Sequence, residues 1–250
     1  MTAAFTLMAV AAGLSLVLAV AGFGVVGSHG GGSVQGWDDS IGRWLVHERT
    51  GLVGMSRVIA FVGDAPILGA ITVAITVVLW ATGQRVRAFI PLVAFLGAEF
   101  FVYLTRSYVH RPRPVSANFP APWALPGVHE TSFSFPSGHA TAGAAVLCSL
   151  AGLAAITWKV WWPWAVVALP ILAVALSRLV LGVHWFSDVA FGVLIGAAWG
   201  VTVTYVLASV RWPLGANGEE PTSSRSDIGR SDPTRANPSD VGPGGGPASG

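Results

Sequence analysis

Apolar residues fall in six long runs, at roughly 3–27, 58–82, 88–105, 139–158, 162–182 and 186–209, separated by short polar segments. About 20 residues at 1.5 Å each are needed to cross the hydrocarbon of a bilayer, so every run predicts a membrane-spanning helix. The fold class expected is all-α, a polytopic bundle of six spans. No Lys or Arg precedes the first run, which also exceeds the roughly 7–15 apolar residues of a secretory leader. It therefore predicts a retained span. Between the first two runs, Trp37, Ile41, Trp44 and Leu45 recur at i, i+4, i+7 and i+8. That spacing puts them on one helical face with the charges opposite, as in a helix lying in the membrane interface. A fully aqueous helix stays open.

Composition sharpens this picture. Of 250 residues, 53% are hydrophobic and 31 more are glycine, while only 10% are charged. About a quarter charged is usual for a soluble domain, and so few charges could not cover a soluble surface. The 14 basic and 12 acidic residues give a net charge of +2, which implies no nucleic-acid partner. Eleven tryptophans suit the membrane–water interface. A single cysteine, Cys148, excludes an internal disulfide and a Cys-based zinc site. From 213 onward the chain is rich in Pro, Gly and Ser and poor in large apolar side chains, which predicts a disordered tail. The expected organisation is a first span and loop (1–34), a membrane domain (35–210) and a cytoplasmic tail (211–250). Gly192, Gly196 and Gly200 recur every four residues in the last run, a pattern for close helix packing within the chain or, less commonly, for dimerisation.

With six spans both termini share a side. That side carries Arg85, Arg87, Lys159 and Arg211, and the other carries Arg43, Arg49, Arg57, Arg106, Arg111, Arg113 and Arg178. The count alone does not orient the chain. If several of the latter arginines serve chemistry, the remainder favours cytoplasmic termini.

Three polar clusters sit at ends of spans on that second side. Arg106-Ser-Tyr-Val-His-Arg-Pro-Arg113-Pro114 follows span three, Phe135-Pro136-Ser137-Gly138-His139 opens span four, and Ser177-Arg178 through His184 to Asp188 joins spans five and six. Alternating span direction brings all three to one surface. Arg106, Arg113 and Arg178 offer planar cationic forks suited to phosphate oxygens. Ser137 and Gly138 stand at a helix start, where free N–H groups and the helix dipole favour an anion. His184 and Asp188 are four apart and would share a helical face, the carboxylate fixing the imidazole tautomer. His139 is a second imidazole able to protonate a leaving oxygen. No carboxylate cluster for a metal is evident, and no cofactor is called for. Taken singly, the arginines read equally well as interfacial anchors, and the His184–Asp188 pair as a helix-start ion pair. Weaker signals are Glu99 inside span three, Asp64 near the end of span two, His110 and Arg111 within the first cluster, and His129 and Glu130 in the loop before the second.

Arg-x6-Arg-Pro, Pro-Ser-Gly-His and Ser-Arg-x5-His-x3-Asp together resemble the three-part signature of the type 2 phosphatidic acid phosphatase superfamily. That group includes membrane lipid phosphatases and soluble vanadium haloperoxidases, and the resemblance, with six spans as in the membrane branch, covers about residues 35–210. It implies that His184 attacks phosphorus to form a phosphohistidine, that Asp188 orients His184, and that His139 protonates the departing group. It also implies that Arg106, Arg113, Ser137, Gly138 and Arg178 hold the phosphoryl oxygens. One departure stands: the first motif usually begins with Lys, where this chain has Arg106.

The expectation is a metal-independent lipid phosphate phosphatase of the cell membrane, with its active site on the extracytoplasmic face. Undecaprenyl diphosphate is the first-choice substrate, followed by phosphatidate, diacylglycerol pyrophosphate and phosphatidylglycerophosphate. A phosphotransferase using the same phosphohistidine, and a non-catalytic lipid-phosphate binding or transport protein, are the alternatives. The sequence says nothing about oligomeric state.

Overall fold

A computed structural model describes residues 33–48, 51–114 and 132–209. The expected first span, the tail, His129 and Glu130 lie outside the described residues. The regular secondary structure of the described residues is all helical, with no strand among them. In chain order they form α1 (Ser33–Glu48), α2 (Val53–Gly63), α3 (Ala65–Ala81), α4 (Ile90–Tyr108), α5 (Gly138–Trp158), α6 (Trp162–Val180) and α7 (Phe186–Ser209), with a 3₁₀ turn at Arg87–Phe89 leading into α4. Among the described residues four helical stretches are long and apolar enough to cross a membrane: Arg87–Tyr108, Gly138–Trp158, Trp162–Val180 and Phe186–Ser209.

The predicted second span is not one straight helix. It divides at Asp64 into α2 and α3, whose axes differ by 57°, and it makes a fifth crossing only if the pair is counted as one. Pro66 lies in the first turn of α3. In an unbroken helix its ring would collide with the carbonyl of Val62 and its missing N–H would leave that carbonyl unbonded. The backbone of Asp64 is extended instead (φ −66°, ψ 141°).

The centre of the bundle is where α5 packs on α7. Gly192, Gly196 and Gly200 face α5, and a Cβ at Gly196 or Gly200 would run into the carbonyl oxygen of Thr141 or Ala145. The glycine stripe thus serves packing within the chain, where absent side chains let two backbones touch. Around this contact Ile90, Ala94, Phe101, Ala145, Val146, Trp199 and Val203 form the main apolar core. Trp199 packs edge-on to Phe101 at 5.2 Å and donates its indole N–H to the carbonyl of Ala94 (3.1 Å), so its polar atom is satisfied deep in an apolar layer. Leu169, Leu172, Phe100 and Val77 point away from the protein, the surface a lipid would cover.

The faces of α1 divide differently from the periodicity. Trp37 (71% exposed) and Trp44 (63%) do project together, away from the protein. Asp38, assigned to the polar outer face, is 1% exposed and turned inward with Leu45. The inward stripe is Asp38, Ile41, Gly42 and Leu45, which lines a small crevice with His184, Trp185 and Phe186. A charged side chain can occupy such a stripe only where partners replace its water, and Asp38 has them.

Candidate active site

The three clusters meet as the topology requires. The C-terminal end of α4, the N-terminus of α5, the turn between α6 and α7 and the break at Asp64 surround one cavity of about 120 Å³. Gly63, Asp64, Ala65, Glu99, Val102, Arg106, Arg113, Gly138, His139 and His184 line it. Two of the weaker carboxylate signals, Glu99 and Asp64, therefore belong to the cavity wall.

His184 lies in the turn before α7, not on the helix, so the expected shared helical face with Asp188 is not what pairs them. Asp188 sits in the first turn of α7 and reaches back: its Oδ2 accepts the backbone N–H of Trp185 at 2.9 Å, as a carboxylate in a capping box does. This places Oδ2 at 3.6 Å from Nδ1 of His184. On the other side of the ring, Nη1 of Arg113 is 3.2 Å from Nε2. A guanidinium can only donate, so that contact needs the lone pair on Nε2 and puts the imidazole proton on Nδ1, toward Asp188. The geometry selects a tautomer with its lone pair on Nε2, beside Arg113.

Arg113 (4% exposed) is held by main-chain carbonyls. Its Nε donates to Ser132 (2.7 Å), Nη1 to Val183 (2.9 Å), and Nη2 to the hydroxyl of Ser132 (2.9 Å). Arg106 donates to the carbonyl of Pro136 (3.2 Å) and the Ser132 hydroxyl (3.3 Å). Its Nη2 lies 3.4 Å from where a Cβ on Gly138 would be, so the missing side chain admits the guanidinium to the helix start. Ser132 thus joins the two arginines, a role the sequence did not mark.

Ser137 precedes α5 with an extended backbone and is fully buried. Its N–H donates to the carbonyl of Asp188 (3.1 Å), tying the second cluster to the third. Its hydroxyl has no hydrogen-bond partner among the described residues, an uncompensated polar group beside a helix N-terminus. Nε2 of His139 is 3.0 Å from the carbonyl oxygen of Ala60 and 3.9 Å from the Asp64 carboxylate. Arg178 is buried (3% exposed) on the last turn of α6, where its carbonyl accepts the N–H of Val183 (3.3 Å), but its side chain is not part of the cavity wall. Among the described residues no group of three or more His, Cys, Asp or Glu is placed to hold a metal.

Of the residues behind Asp188, the sequence marked Arg111 only as a weaker signal and Asp38 not at all. Nη1 of Arg111 donates to Oδ1 of Asp188 (2.5 Å) and to the Ser187 hydroxyl (2.8 Å). Its Nη2 donates to Asp38 (2.7 Å) and Gln35 (3.0 Å). The Ser134 hydroxyl also bonds Oδ2 of Asp188. A signal for Arg111 existed: in the extended Val109–Arg113 segment, residues two apart point the same way, so Arg111 and Arg113 share a direction. No pattern marked Asp38.

Comparisons with known proteins agree with this architecture. The fold is similar to the crystal structure of the first transmembrane PAP2 type phosphatidylglycerolphosphate phosphatase from Bacillus subtilis, with a TM-score of 0.61 at 24% identity over 83% of this chain and 95% of that one. The decaprenylphosphoryl-5-phosphoribose phosphatases of Mycobacterium tuberculosis strains CDC 1551 / Oshkosh and ATCC 25618 / H37Rv are 35% identical over 113 residues, 44% of this chain. The match spans about half the length of these relatives, 55%. The family model for the PAP2 superfamily matches residues 87–212, half of the chain. That stretch contains all three clusters and the four long helices that carry them, and the chain belongs to the PAP2 superfamily.

Proposed function

We propose that the protein is a membrane lipid phosphate phosphatase working through a phosphohistidine on His184. The observation that carries this is the seat of His184 in the cavity wall, with Asp188 on its Nδ1 side and Arg113 beside its Nε2. In the first step Nε2 attacks phosphorus, the bond from phosphorus to the leaving oxygen breaks, and His139 gives that oxygen a proton. Water then attacks the phosphohistidine, passes a proton to His139, and frees phosphate and His184. Arg106, Arg113 and the α5 N-terminus at Ser137 and Gly138 hold the phosphoryl oxygens as charge builds in the transition state. Arg178, behind the α6–α7 turn, adds positive charge to the same end of the bundle. With Nε2 of His139 directed at Ala60, Nδ1 is the nitrogen that exchanges protons.

No step calls for a metal. The leaving group is a lipid alcohol, or a lipid monophosphate where the substrate is a diphosphate. A polyprenyl-linked phosphate is the substrate class we favour, because the M. tuberculosis relatives carry a decaprenylphosphoryl substrate in their names. Undecaprenyl diphosphate falls in this class. We place the cavity on the extracytoplasmic face with cytoplasmic termini, because once Arg106, Arg111, Arg113 and Arg178 are assigned to the site and its support, the remaining Arg and Lys favour the terminal side.

The test is phosphate release by the detergent-purified protein in excess EDTA. The substrates are undecaprenyl diphosphate, decaprenylphosphoryl-5-phosphoribose, phosphatidate and phosphatidylglycerophosphate, each beside His184→Ala. Release by the wild type alone, with an acid-labile phosphoprotein trapped on brief exposure to substrate, is the expected result. Folded wild-type protein that releases phosphate from none of the four would end this reading.

A further inference from the structure

The densest polar network in the protein is behind the cavity. Asp38 (1% exposed), Arg111 (3%) and Asp188 (fully buried) form a continuous ion chain from α1 to the first turn of α7. Both oxygens of Asp38 are in use: Oδ1 accepts the backbone N–H of Ser187 (2.8 Å), and Oδ2 accepts Arg111 (2.7 Å) and the Ser187 hydroxyl (2.6 Å). Arg111 divides its fork between the two carboxylates, and its plane lies 5.4 Å over the ring of Trp185. Trp185 in turn donates its indole N–H to the carbonyl of Pro112 (2.9 Å). The network reaches Trp185, Ser187 and Asp188, all within four residues after His184.

Such a network is a poor device for stability alone. Removing three charges from water offsets much of what their attraction returns, and apolar side chains of similar volume would often serve as well. It does hold a carboxylate in one place. Oδ1 of Asp188 is tied to Arg111, and this leaves Oδ2 as the oxygen turned to His184. Arg111 is itself prevented from turning by Asp38. Without Asp38, one arm of the guanidinium would lose its anion, and the fork could swing from Asp188.

We infer that Asp38 and Arg111 are positioning residues for the reaction, acting through Asp188 on His184, and that α1 is thereby a working part of the active site. This rests on the proposed phosphohistidine chemistry. Neither residue touches the cavity, so substrate binding does not depend on them. The consequence concerns α1 as a whole: a helix whose outer face carries Trp37 and Trp44 has its inner face linked through Arg111 to the aspartate that aims the nucleophile.

The experiment is a double-mutant cycle on the full chain. Asp38→Asn and Arg111→Lys, each near in shape to the native residue, are assayed alone and in an Asp188→Asn background, with melting temperatures taken in the same detergent. Each single variant is expected to lower kcat by tenfold or more, yet by less than the roughly 10⁴-fold seen when a catalytic triad loses the function of its orienting carboxylate. KM should stay within about twofold, since only the orientation of the attacking group changes. In the Asp188→Asn background either substitution should change kcat by less than about threefold, because the residue through which it acts is already gone. A merely structural role would add the same loss in both backgrounds. Wild-type kcat in both single variants, or full additivity with Asp188→Asn, overturns the inference. Should Arg111→Lys not fold, Asp38→Asn runs the same cycle alone. An inactive wild type would instead strike the phosphatase reading, so the two failures are distinct.

Discussion

Nη1 of Arg113 lies 3.2 Å from Nε2 of His184, and the same nitrogen donates to the carbonyl of Val183 just before that histidine. One guanidinium thus fixes the backbone before the imidazole, selects its tautomer and brings positive charge to the proposed point of attack. Lysine keeps the charge but has no planar fork to reach Ser132, Val183 and an incoming phosphate together. Arg113→Lys is expected to reduce kcat/KM by about 100-fold or more, the usual scale for losing one preorganised donor to a transition state. Steady-state rates with a soluble phosphomonoester check this, and a loss under threefold would mean Arg113 only braces the loop.

His139 lines the same cavity as Arg106 and Arg113 and is proposed to protonate the leaving oxygen. Its loss should matter most when that oxygen is basic. His139→Ala should slow an alkyl phosphate by about 100-fold or more, the scale of general acid catalysis, and a nitrophenyl phosphate much less. Equal losses on both substrates would remove the acid role.

Arg106 stands where the family motif usually has lysine. Its two described bonds go to the Pro136 carbonyl and the Ser132 hydroxyl, and a single ammonium can reach either. Arg106→Lys should therefore retain activity within about tenfold of wild type, the factor set by losing roughly one charged hydrogen bond. Arg106→Ala should lose far more. Near-complete inactivity of the lysine variant, with the protein folded, would show that the planar fork is essential here.

The contact of α7 with α5 leaves no room at Gly196, where a Cβ would meet the Thr141 carbonyl, while Gly54 has nothing within 4 Å. Gly196→Ala should destabilise the protein by about 1–3 kcal/mol through overpacking. Gly54→Ala, in a helix with open space, should be neutral or stabilising by up to about 1 kcal/mol. Thermal unfolding in detergent measures both. Equal midpoints would mean that the two helices can part at little cost.

Much of this protein could be read from one dimension. A run of apolar residues long enough to cross a bilayer is a local property, so α4 to α7 were legible from hydropathy. The meeting of Arg106, Arg113, His139 and His184 followed from counting alternations of direction. Tertiary structure decided what depends on rotation and on long-range partners. Periodicity places Trp37 and Trp44 on one face of α1 but cannot say that Asp38 faces inward, because its partners, Arg111 and Ser187, are 73 and 149 residues away. The break at Asp64 was signalled by Pro66 yet hidden under continuous hydropathy, since a kinked apolar helix is as apolar as a straight one. His184 and Asp188 are four apart, but a turn and a carboxylate reaching back to the Trp185 N–H bring them together. Burial makes the final difference: a charge reads as solvated until the fold supplies the opposite charge that takes the place of water.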